Sequence, residues 1–179
     1  MDQRERLKAL ITEKCVLKGD FVLASGARSS VYFDCKRATL NPEGISLIGE
    51  MLWAQIAALP GGVTAVGGPT IGADPIVWHL AALSFLKGKP VAAFLVRKEA
   101  KGHGTRRLIE NPPPAGSRVV IFEDVVTSGG STLDAIRAAE EAGLKVAAVF
   151  CLVDREQGGD KVLSAYDYRP LFKKSEFGL

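Results

Sequence analysis

The segment VVIFEDVVTSGGST, residues 119–132, predicts the architecture of the rest of the chain. Its first four residues are apolar and mostly β-branched, which is typical of a strand buried on both faces. The acidic pair Glu123 and Asp124 is expected where this strand ends, and a turn of glycines and small hydroxyl-bearing residues follows at 127–132. An apolar pattern of helical spacing starts at Leu133. The segment therefore predicts a buried strand, a polar turn and the start of a helix.

The same segment is suited to binding a sugar phosphate. Backbone N–H groups and the dipole at a helix N-terminus bind phosphate, and carboxylates accept hydrogen bonds from vicinal ribose hydroxyls. Ligands of open α/β sheets bind at the carboxyl ends of the strands, where the acidic pair is expected. The alternative is an ordinary strand-to-helix loop with a Ser or Thr N-cap. The chain contains neither a Walker GK[ST] after these glycines nor a GxGxxG fingerprint.

The N-terminal part of the chain carries shorter patterns. Residues 2–14 predict an amphipathic helix. Residues 21–26 and 30–36 predict two short strands, either a hairpin or a pair of small strands, that stand apart from the main sheet. A further helix is expected to begin with Asn41 as its N-cap and Pro42 at its first position.

Strand and helix patterns alternate through the centre of the chain. The strand candidates are 63–67, 91–96, 118–122 and 145–152, and the helix candidates are near 72–86 and 131–142. This alternation predicts a parallel, doubly wound α/β sheet. The polar segment 156–179 follows, and its one mixed run, 166–172, is expected to pack beside the N-terminal hairpin.

Composition and charge limit the class of protein. The chain has 179 residues, of which 47% are hydrophobic, and a formal net charge of +3. These values suit a single globular domain with anionic ligands better than a dedicated nucleic-acid binder. Its three cysteines form no CxxC pair, so neither a disulfide framework nor a zinc site is expected. No apolar run approaches the roughly eighteen residues that span a bilayer. We therefore expect a cytoplasmic protein without membrane or nucleic-acid partners.

A second polar cluster directly follows the second strand candidate. It reads RKEAKGHG, residues 97–104, and combines Arg97, Lys98, Lys101 and His103 with glycines on either side of the histidine. A solvated, mobile surface loop is the simplest interpretation of such a charge run. This loop, however, leaves the same edge of the predicted sheet as the acidic pair. A cationic loop there would stabilise the charge of a departing pyrophosphate, and its closure would exclude water.

Several segments resemble known phosphoribosyltransferases. Residues 119–132 resemble the phosphoribosyl pyrophosphate (PRPP) motif of the type I phosphoribosyltransferases, with glutamate at the first acidic position, a variation that the motif admits. RKEAKGHG is similar to the RKxxKxHG catalytic loop of the orotate phosphoribosyltransferases, which other members of the superfamily generally lack. FVLASG…SxVYFD resembles the hood strands of that family, and Asp154–Arg155 resembles its DR pair. The resemblance covers nearly the whole chain in the right order.

This resemblance implies a type I phosphoribosyltransferase fold in a single domain, 1–179, with a core at about 41–155 and a small hood built from about 1–40 and 156–179. It implies transfer of the 5-phosphoribosyl group from PRPP to orotate, which gives orotidine 5′-monophosphate and pyrophosphate in de novo pyrimidine (UMP) biosynthesis. It also implies Mg²⁺ as cofactor, held mainly by PRPP and water with no direct protein ligand, and a homodimer that shares loop 97–110 across its interface.

The resemblance also implies roles for individual residues. The residues expected to act in catalysis are Arg97, Lys98, Lys101 and His103. Those expected to bind PRPP are Thr70, Ile71, Gly72, Ala73, Asp74, Glu123, Asp124, Val125, Val126, Thr127, Ser128, Gly129, Gly130 and Ser131. Those expected to bind orotate are Tyr32, Phe33, Thr127 and Arg155. In the family, the acidic pair binds the ribose hydroxyls, the turn that follows binds the 5-phosphate, and the arginine of the DR pair contacts the orotate carboxylate.

Two positions depart from the family pattern. Ala24 stands where many members have a lysine that reaches the substrate, and the loop 68–75, GPTIGADP, lacks the lysine that others carry there. The loop nevertheless keeps the small, N–H-rich character of an anion-binding turn. Two alternatives to orotate transfer stay open at this level. They are transfer to another base, and a PRPP-sensing regulator on the same fold that binds nucleic acid.

Overall fold

The structure is a computed structural model, and it describes residues 2–22, 28–99 and 108–179. In these residues the strands, numbered in chain order, are β1 (Val16–Val22), β2 (Arg28–Phe33), β3 (Ala65–Pro69), β4 (Ala92–Val96), β5 (Ile109–Glu110), β6 (Arg118–Val126), β7 (Lys145–Asp154) and β8 (Tyr168–Lys173). The helices are α1 (Gln3–Lys14), α2 (Lys36–Thr39), α3 (Pro42–Ala57), α4 (Asp74–Leu86), α5 (Gly130–Glu141) and α6 (Gly159–Val162), and a C-terminal 3₁₀ helix spans Lys174–Phe177.

A main sheet forms the centre of the protein, and within the described residues it has six strands in the order β5-β4-β3-β6-β7-β8. β4, β3, β6, β7 and β8 run parallel, whereas the two-residue β5 pairs with β4 in the antiparallel orientation at one edge. β1 and β2 form a separate antiparallel pair. The predicted fold class, an α/β fold around a parallel, doubly wound sheet, is confirmed.

The central strands face two hydrophobic cores, one on each side of the sheet. Val120 and Phe122 of β6 pack with residues of α1, α3 and α4, whereas Val119 and Ile121 pack with residues of α5. The rings of Phe122 and Phe150 stack with 5.5 Å between their centroids. Because successive strand residues point to opposite faces, a strand covered on both sides needs an unbroken apolar run, and β6 has one.

Local sequence signals account for the start of α3. The side-chain oxygen of Asn41 accepts hydrogen bonds of 3.0 Å from the backbone N–H groups of Glu43 and Gly44, and Pro42 is the first helical residue. The predicted N-cap is therefore confirmed, as are the predicted N-terminal helix (α1) and the two central helices (α4 and α5). In the part of the chain that the structure describes, none of the helices is long and apolar enough to cross a membrane.

The strand that carries the acidic pair is longer than predicted. The sequence predicts an end at Phe122, but β6 continues to Val126 because its pairing with β7 continues, with Glu123 beside Cys151. The pairing of β6 with β3 stops earlier. Glu123 and Asp124 therefore lie inside the strand instead of at its end, with one edge free of the neighbouring strand.

The ends of the chain also differ from the prediction. β1 begins at Val16, upstream of the predicted strand, and the short elements α2 and β5 are not predicted at all. The mixed run at 166–172 is expected beside the hairpin, but β8 instead joins the main sheet next to β7. The 3₁₀ helix after β8 contacts β2, where the rings of Phe177 and Phe33 lie 5.5 Å apart. The last part of the predicted strand 21–26 lies outside the described residues.

Candidate active site

A cavity of about 470 Å³ opens at the carboxyl ends of β3 and β6, next to the β1–β2 pair. Segments far apart in the sequence meet here because parallel strands end at one edge of the sheet. The lining residues are Val22, Tyr32, Phe33, Lys36, Pro69, Thr70, Ile71, Gly72, Lys98, Glu123, Asp124, Val125, Thr127, Ser128, Ser131 and Arg155.

Most of the residues predicted to bind PRPP and all of those predicted to bind orotate line this cavity. The exceptions lie directly around it. Val126 and Ala73 are buried in the hydrophobic cores. Asp74 and Gly130 line depressions that adjoin the cavity, and Gly129 is the N-cap of α5. The structure thus brings the two predicted PRPP segments together at one edge of the sheet.

The basic loop predicted to act in catalysis starts at the rim of the cavity. Lys98 lines the cavity itself, and Arg97 lines two adjoining depressions. A guanidinium nitrogen of Arg97 lies 3.4 Å from a carboxylate oxygen of Glu110, so the ends of the loop are connected. Lys101 and His103 lie outside the described residues.

The two acidic residues have different surroundings although they are adjacent in β6. The side chain of Glu123 is buried, and its Oε2 accepts a 3.0 Å hydrogen bond from Oγ of Ser131. Burial and the neighbouring charge of Asp124 raise the pKa of Glu123 to about 8, and the bond from Ser131 offsets only part of this rise. Asp124 is partly exposed, and its Oδ1 accepts a 2.9 Å bond from the N–H of Val125. At neutral pH the pair therefore holds a proton when no ligand is bound.

The turn between β6 and α5 presents a helix N-terminus to the cavity. Gly129, the N-cap of α5, has a φ of 81°, in the left-handed region that favours glycine. A glycine N-cap has no side chain to accept bonds from the free N–H groups of the first turn, unlike the Ser or Thr cap of an ordinary loop. Gly159 of α6 packs so closely on this turn that a Cβ there would overlap Val126. The N–H groups at the start of α5 are therefore held in place for an anion.

The loop after β3 lies against the acidic pair. Gly72 approaches Asp124 so closely that a Cβ at position 72 would overlap the Asp124 carboxylate. The N–H of Thr70 donates a 2.9 Å bond to the carbonyl of Val96, which ties the loop to β4. Asp74, the first residue of α4, is buried, which raises its pKa, and its Oδ1 has no hydrogen-bond partner among the described residues. A buried oxygen of this kind can be satisfied by a ligand or by a hydrated cation.

Tyr32, Phe33 and Arg155 form another side of the cavity. Arg155 follows β7 and is only 3% exposed, yet it lines the cavity. Its Nη2 donates bonds of 3.1 Å to Oγ of Ser29 and 3.2 Å to the carbonyl of Val31, so it connects the main sheet to β2. A guanidinium has five N–H donors, and its Nε has no partner in the described part of the chain. The group can therefore donate further bonds to a ligand.

Lys36 is a lining residue that the sequence pattern does not single out. It begins α2 directly after β2, and its Nζ lies 3.5 Å from Oδ1 of Asp34. Burial alone would lower the pKa of Lys36, but the nearby Asp124, Tyr32 and Asp34 raise it. A stable positive charge therefore lies beside the acidic pair. The sequence offered one signal for Lys36 as a lining residue, because it ends VYFDCK, the segment that resembles the hood strands.

Comparisons with known proteins agree with this geometry. Residues 39–174 match the Phosphoribosyl transferase domain family. The chain is 45% identical over 178 residues to an orotate phosphoribosyltransferase of Thermosynechococcus vestitus, covering 98% of this chain and 93% of the relative. It is 42% identical over 181 residues to the orotate phosphoribosyltransferase of Aquifex aeolicus, with 98% of each chain covered. The chain belongs to the orotate phosphoribosyltransferase family.

Comparison with a solved structure shows that the similarity includes the whole fold of this protein. The orotate phosphoribosyltransferase of Mycobacterium tuberculosis H37Rv, in complex with PRPP, matches with a TM-score of 0.81 and 32% identity. The match covers 99% of this chain and all of that one. The likeness is therefore not limited to the PRPP motif; it includes the segments on either side of the main sheet.

Mg²⁺, the cofactor that the resemblance implies, can be compared with the carboxylates in and around this cavity. The described residues contain no group of three or more His, Cys, Asp or Glu side chains that could hold a metal ion. Mg²⁺ usually keeps several waters and binds through one or two carboxylates together with substrate phosphates. Asp124 in the cavity and Asp74 at its rim, with an unpartnered oxygen, supply such carboxylates.

Proposed function

We propose that the protein transfers the 5-phosphoribosyl group of PRPP to orotate and releases pyrophosphate. The bond that forms joins the ring nitrogen of orotate to C1 of the ribose, and the bond that breaks joins C1 to the diphosphate, which leaves with the electron pair. The ring nitrogen carries negative charge once deprotonated, so no strong protein nucleophile is needed. The observation that carries the proposal is that the acidic pair, the turn at the start of α5 and Arg155 meet at one cavity in a member of this family.

The acidic pair and the turn after it bind the ribose 5-phosphate part of PRPP. The carboxylates of Glu123 and Asp124 accept hydrogen bonds from the two ribose hydroxyls. The 5-phosphate lies at residues 127–131, where backbone N–H groups and the dipole of α5 favour an anion. The hydroxyl groups of this turn add donors, because a hydroxyl can rotate toward a phosphate oxygen.

The diphosphate of PRPP lies toward the loop 70–74 and the basic residues near it. Lys98 and Lys36 line the cavity and balance part of the diphosphate charge. Lys36 thereby supplies a cation in a protein that has alanine at position 24 and no lysine in the loop 68–75, two places where many family members have a lysine. Mg²⁺, when bound, would neutralise a further part of the charge on the leaving diphosphate.

Orotate lies on the side of Tyr32 and Phe33, with its carboxylate on Arg155. An arginine and a carboxylate form the stronger, charge-assisted class of hydrogen bond. The β1–β2 pair borders this side of the cavity through Val22, Tyr32 and Phe33. We also propose that the enzyme acts in the cytoplasm, whose reducing conditions suit three free cysteines.

The function is tested by following orotate consumption in an absorbance assay. Consumption is expected only when PRPP and Mg²⁺ are both present, and chelation with EDTA should stop it. Uracil, which lacks the carboxylate, is the matched control base and should be a much poorer substrate. No consumption of orotate with both partners present would contradict the proposal, and equal use of uracil would contradict the role of Arg155.

The active form is proposed to be a homodimer in which loop 97–110 of one subunit reaches the cavity of the other. An apolar surface on α4 supports this proposal, because Trp78, Phe85 and Leu86 are 57%, 74% and 80% exposed. Exposed apolar surfaces of this kind mark interaction sites. α4 begins at the rim where Arg97 and Lys98 lie, so the first turns of this helix are close to the start of the basic loop.

Sedimentation of two variants tests whether the apolar surface of α4 is the dimer interface. Phe85→Glu places a charge on the α4 surface and should shift the protein from dimer to monomer without unfolding it. Leu40→Glu is the matched control, because Leu40 is 70% exposed but lies in a different part of the chain, after α2. Equal behaviour of the two variants would contradict α4 as the interface.

Mixing two inactive variants tests the shared site. If Lys101 acts in the partner's cavity and Asp124 in its own, then Lys101→Ala and Asp124→Asn subunits should regain activity together. With random exchange about half of the dimers are mixed and each has one intact site, so recovery should approach roughly a quarter of wild type. Subunit exchange is shown separately with a tagged partner. No recovery despite exchange would mean that Lys101 serves its own subunit.

A further inference from the structure

A buried carboxylate stands directly before Arg155 in the sequence. Asp154, the last residue of β7, is 2% exposed. Its Oδ2 accepts a 3.0 Å hydrogen bond from the hydroxyl of Tyr168 on β8, and its Oδ1 accepts a 2.8 Å bond from the N–H of Glu156. The second bond closes an Asx turn around Arg155. One oxygen of this buried carboxylate therefore shapes the turn that carries the arginine, and the other connects that turn to β8.

The hydroxyl of Tyr168 is itself the middle of a short chain of hydrogen bonds. The Sγ of Cys151 lies 3.0 Å from it. Burial raises the pKa of both the thiol and the phenol, so each group keeps its proton. The thiol of Cys151 therefore donates to the Tyr168 oxygen, and the Tyr168 hydroxyl donates to Asp154. These hydrogen bonds therefore all point the same way and end on the buried carboxylate of Asp154.

The residue after Arg155 is also held in place. Glu156 has a φ of 56°, in the left-handed region that non-glycine residues seldom adopt. Its carboxylate accepts a 2.7 Å bond from the N–H of Ser175 and a 3.1 Å bond from the hydroxyl of the same residue. The N–H of Arg155 itself donates a 2.9 Å bond to the carbonyl of Val126 in β6. The arginine backbone is therefore fixed from both sides and from the neighbouring strand.

We propose that Tyr168 and Asp154 are positioning residues, which hold Arg155 in the orientation that receives the orotate carboxylate without touching the substrate themselves. The proposal rests on the proposed function of Arg155. Its geometric basis is that the Tyr168 hydroxyl joins the edge strand β8 to Asp154, which fixes the turn that carries the arginine. Loss of this bond should loosen the arginine and weaken orotate binding, while PRPP binds at other residues.

Tyr168→Phe removes the hydroxyl and keeps the ring. We expect the KM for orotate to rise about five- to tenfold, with the KM for PRPP and kcat changed less than about twofold. The lost bond joins Tyr168 to a charged group, and its loss affects only the substrate that Arg155 binds. Tyr166→Phe is the matched control. Its hydroxyl lies on the same segment but contacts the carboxylate of Glu140 at 3.3 and 3.4 Å, so its loss should change neither KM.

A double-mutant cycle separates positioning from a general loss of stability. In the Arg155→Ala background the Tyr168→Phe change should have no further effect on the KM for orotate, because the group being positioned is gone. The same rise in both backgrounds would overturn the proposal, as would equal rises in both KM values. If Arg155→Ala alone left the KM for orotate unchanged, the proposed role of Arg155 would fail, and this proposal with it. If Arg155→Ala raised the KM for orotate and Tyr168→Phe left it unchanged, only the positioning role would be overturned.

Asp154→Asn provides a second route in case Tyr168→Phe does not fold. The amide keeps the shape of the carboxylate but removes the charge that Tyr168 and the Glu156 N–H bind. We expect the same selective rise in the KM for orotate and the same loss of effect in the Arg155→Ala background. A folded Asp154→Asn protein with an unchanged KM for orotate would overturn the proposal.

Discussion

Replacement of Glu123 by Gln should abolish a proton release that accompanies PRPP binding. The carboxyl of Glu123 is buried beside Asp124, and burial followed by that neighbouring charge raises its pKa to about 8. The free protein therefore binds a proton at neutral pH. A carboxylate that accepts bonds from ribose hydroxyls is favoured in its charged form, so PRPP binding should lower this pKa and release the proton.

The size of the effect follows from the pKa. If PRPP lowers the pKa of Glu123 by about two units, roughly 0.8 proton should be released per site at about pH 7. The apparent Kd for PRPP should then fall about twentyfold between about pH 6.5 and about pH 8.5. In the free protein the folded state holds more protons than the unfolded state between Glu123's ordinary value near 4.5 and about 8. Its free energy of unfolding should therefore decrease as the pH rises through this window, and Glu123→Gln should flatten the decrease.

Calorimetry in two buffers of different ionisation enthalpy measures the released protons directly. PRPP has a titrating phosphate of its own, so the relevant quantity is the difference between the wild type and Glu123→Gln, which keeps an oxygen able to accept the bond from Ser131. We expect the variant to release about 0.8 proton fewer and to bind PRPP with a weaker pH dependence. Equal proton release by both proteins would refute the reasoning, because Glu123 would then bind the ribose in its neutral form.

Further substitutions separate effects on ligand binding from effects on folding. Asp124→Asn should weaken PRPP binding by about 1.5–3 kcal/mol in calorimetry, because a charge-assisted bond to a ribose hydroxyl is lost, and an unchanged affinity would exclude Asp124 from that role. Gly72→Ala should also weaken PRPP binding with little change in urea unfolding, because its Cβ displaces only the Asp124 side chain. Gly68→Ala is the control: its Cβ would meet the carbonyl of Phe122 and should destabilise the fold. Lys36→Met should weaken inhibition by pyrophosphate about tenfold and leave the KM for orotate nearly unchanged; the opposite pattern would assign Lys36 to orotate.

The parts of the site that depend on local signals were predictable from the sequence. The apolar run of β6 and the glycine turn before α5 indicated the strand, the turn and the helix in their correct order. The extent of β6 was not predictable, because Glu123 and Asp124 have the polarity of a strand end. Their inclusion in the strand depends on pairing with β7, which is a long-range contact.

The parts that depend on tertiary pairing alone were missed. β8 contains Pro170, which lacks an N–H and is a poor residue for the interior of a sheet, so this run carries only a weak strand signal. Its position at the edge of the main sheet explains why the proline is tolerated. Tyr168, on the same strand, could therefore not be connected to Asp154 in advance. Lys36 was missed for a similar reason, because only the fold places the end of β2 beside β6.

The proton on Glu123 gives a physical reason for selecting a sugar with both hydroxyls. Two adjacent carboxylates in a partly buried strand repel each other, and in the free protein a proton reduces that repulsion. When the proton leaves, hydroxyl donors from the ligand must replace it, in addition to the bond from Ser131. A 2-deoxyribose supplies one donor fewer, so Glu123 would keep its proton and one hydrogen bond between the sugar and the acidic pair would be missing. The acidic pair therefore favours a sugar that supplies both hydroxyl donors.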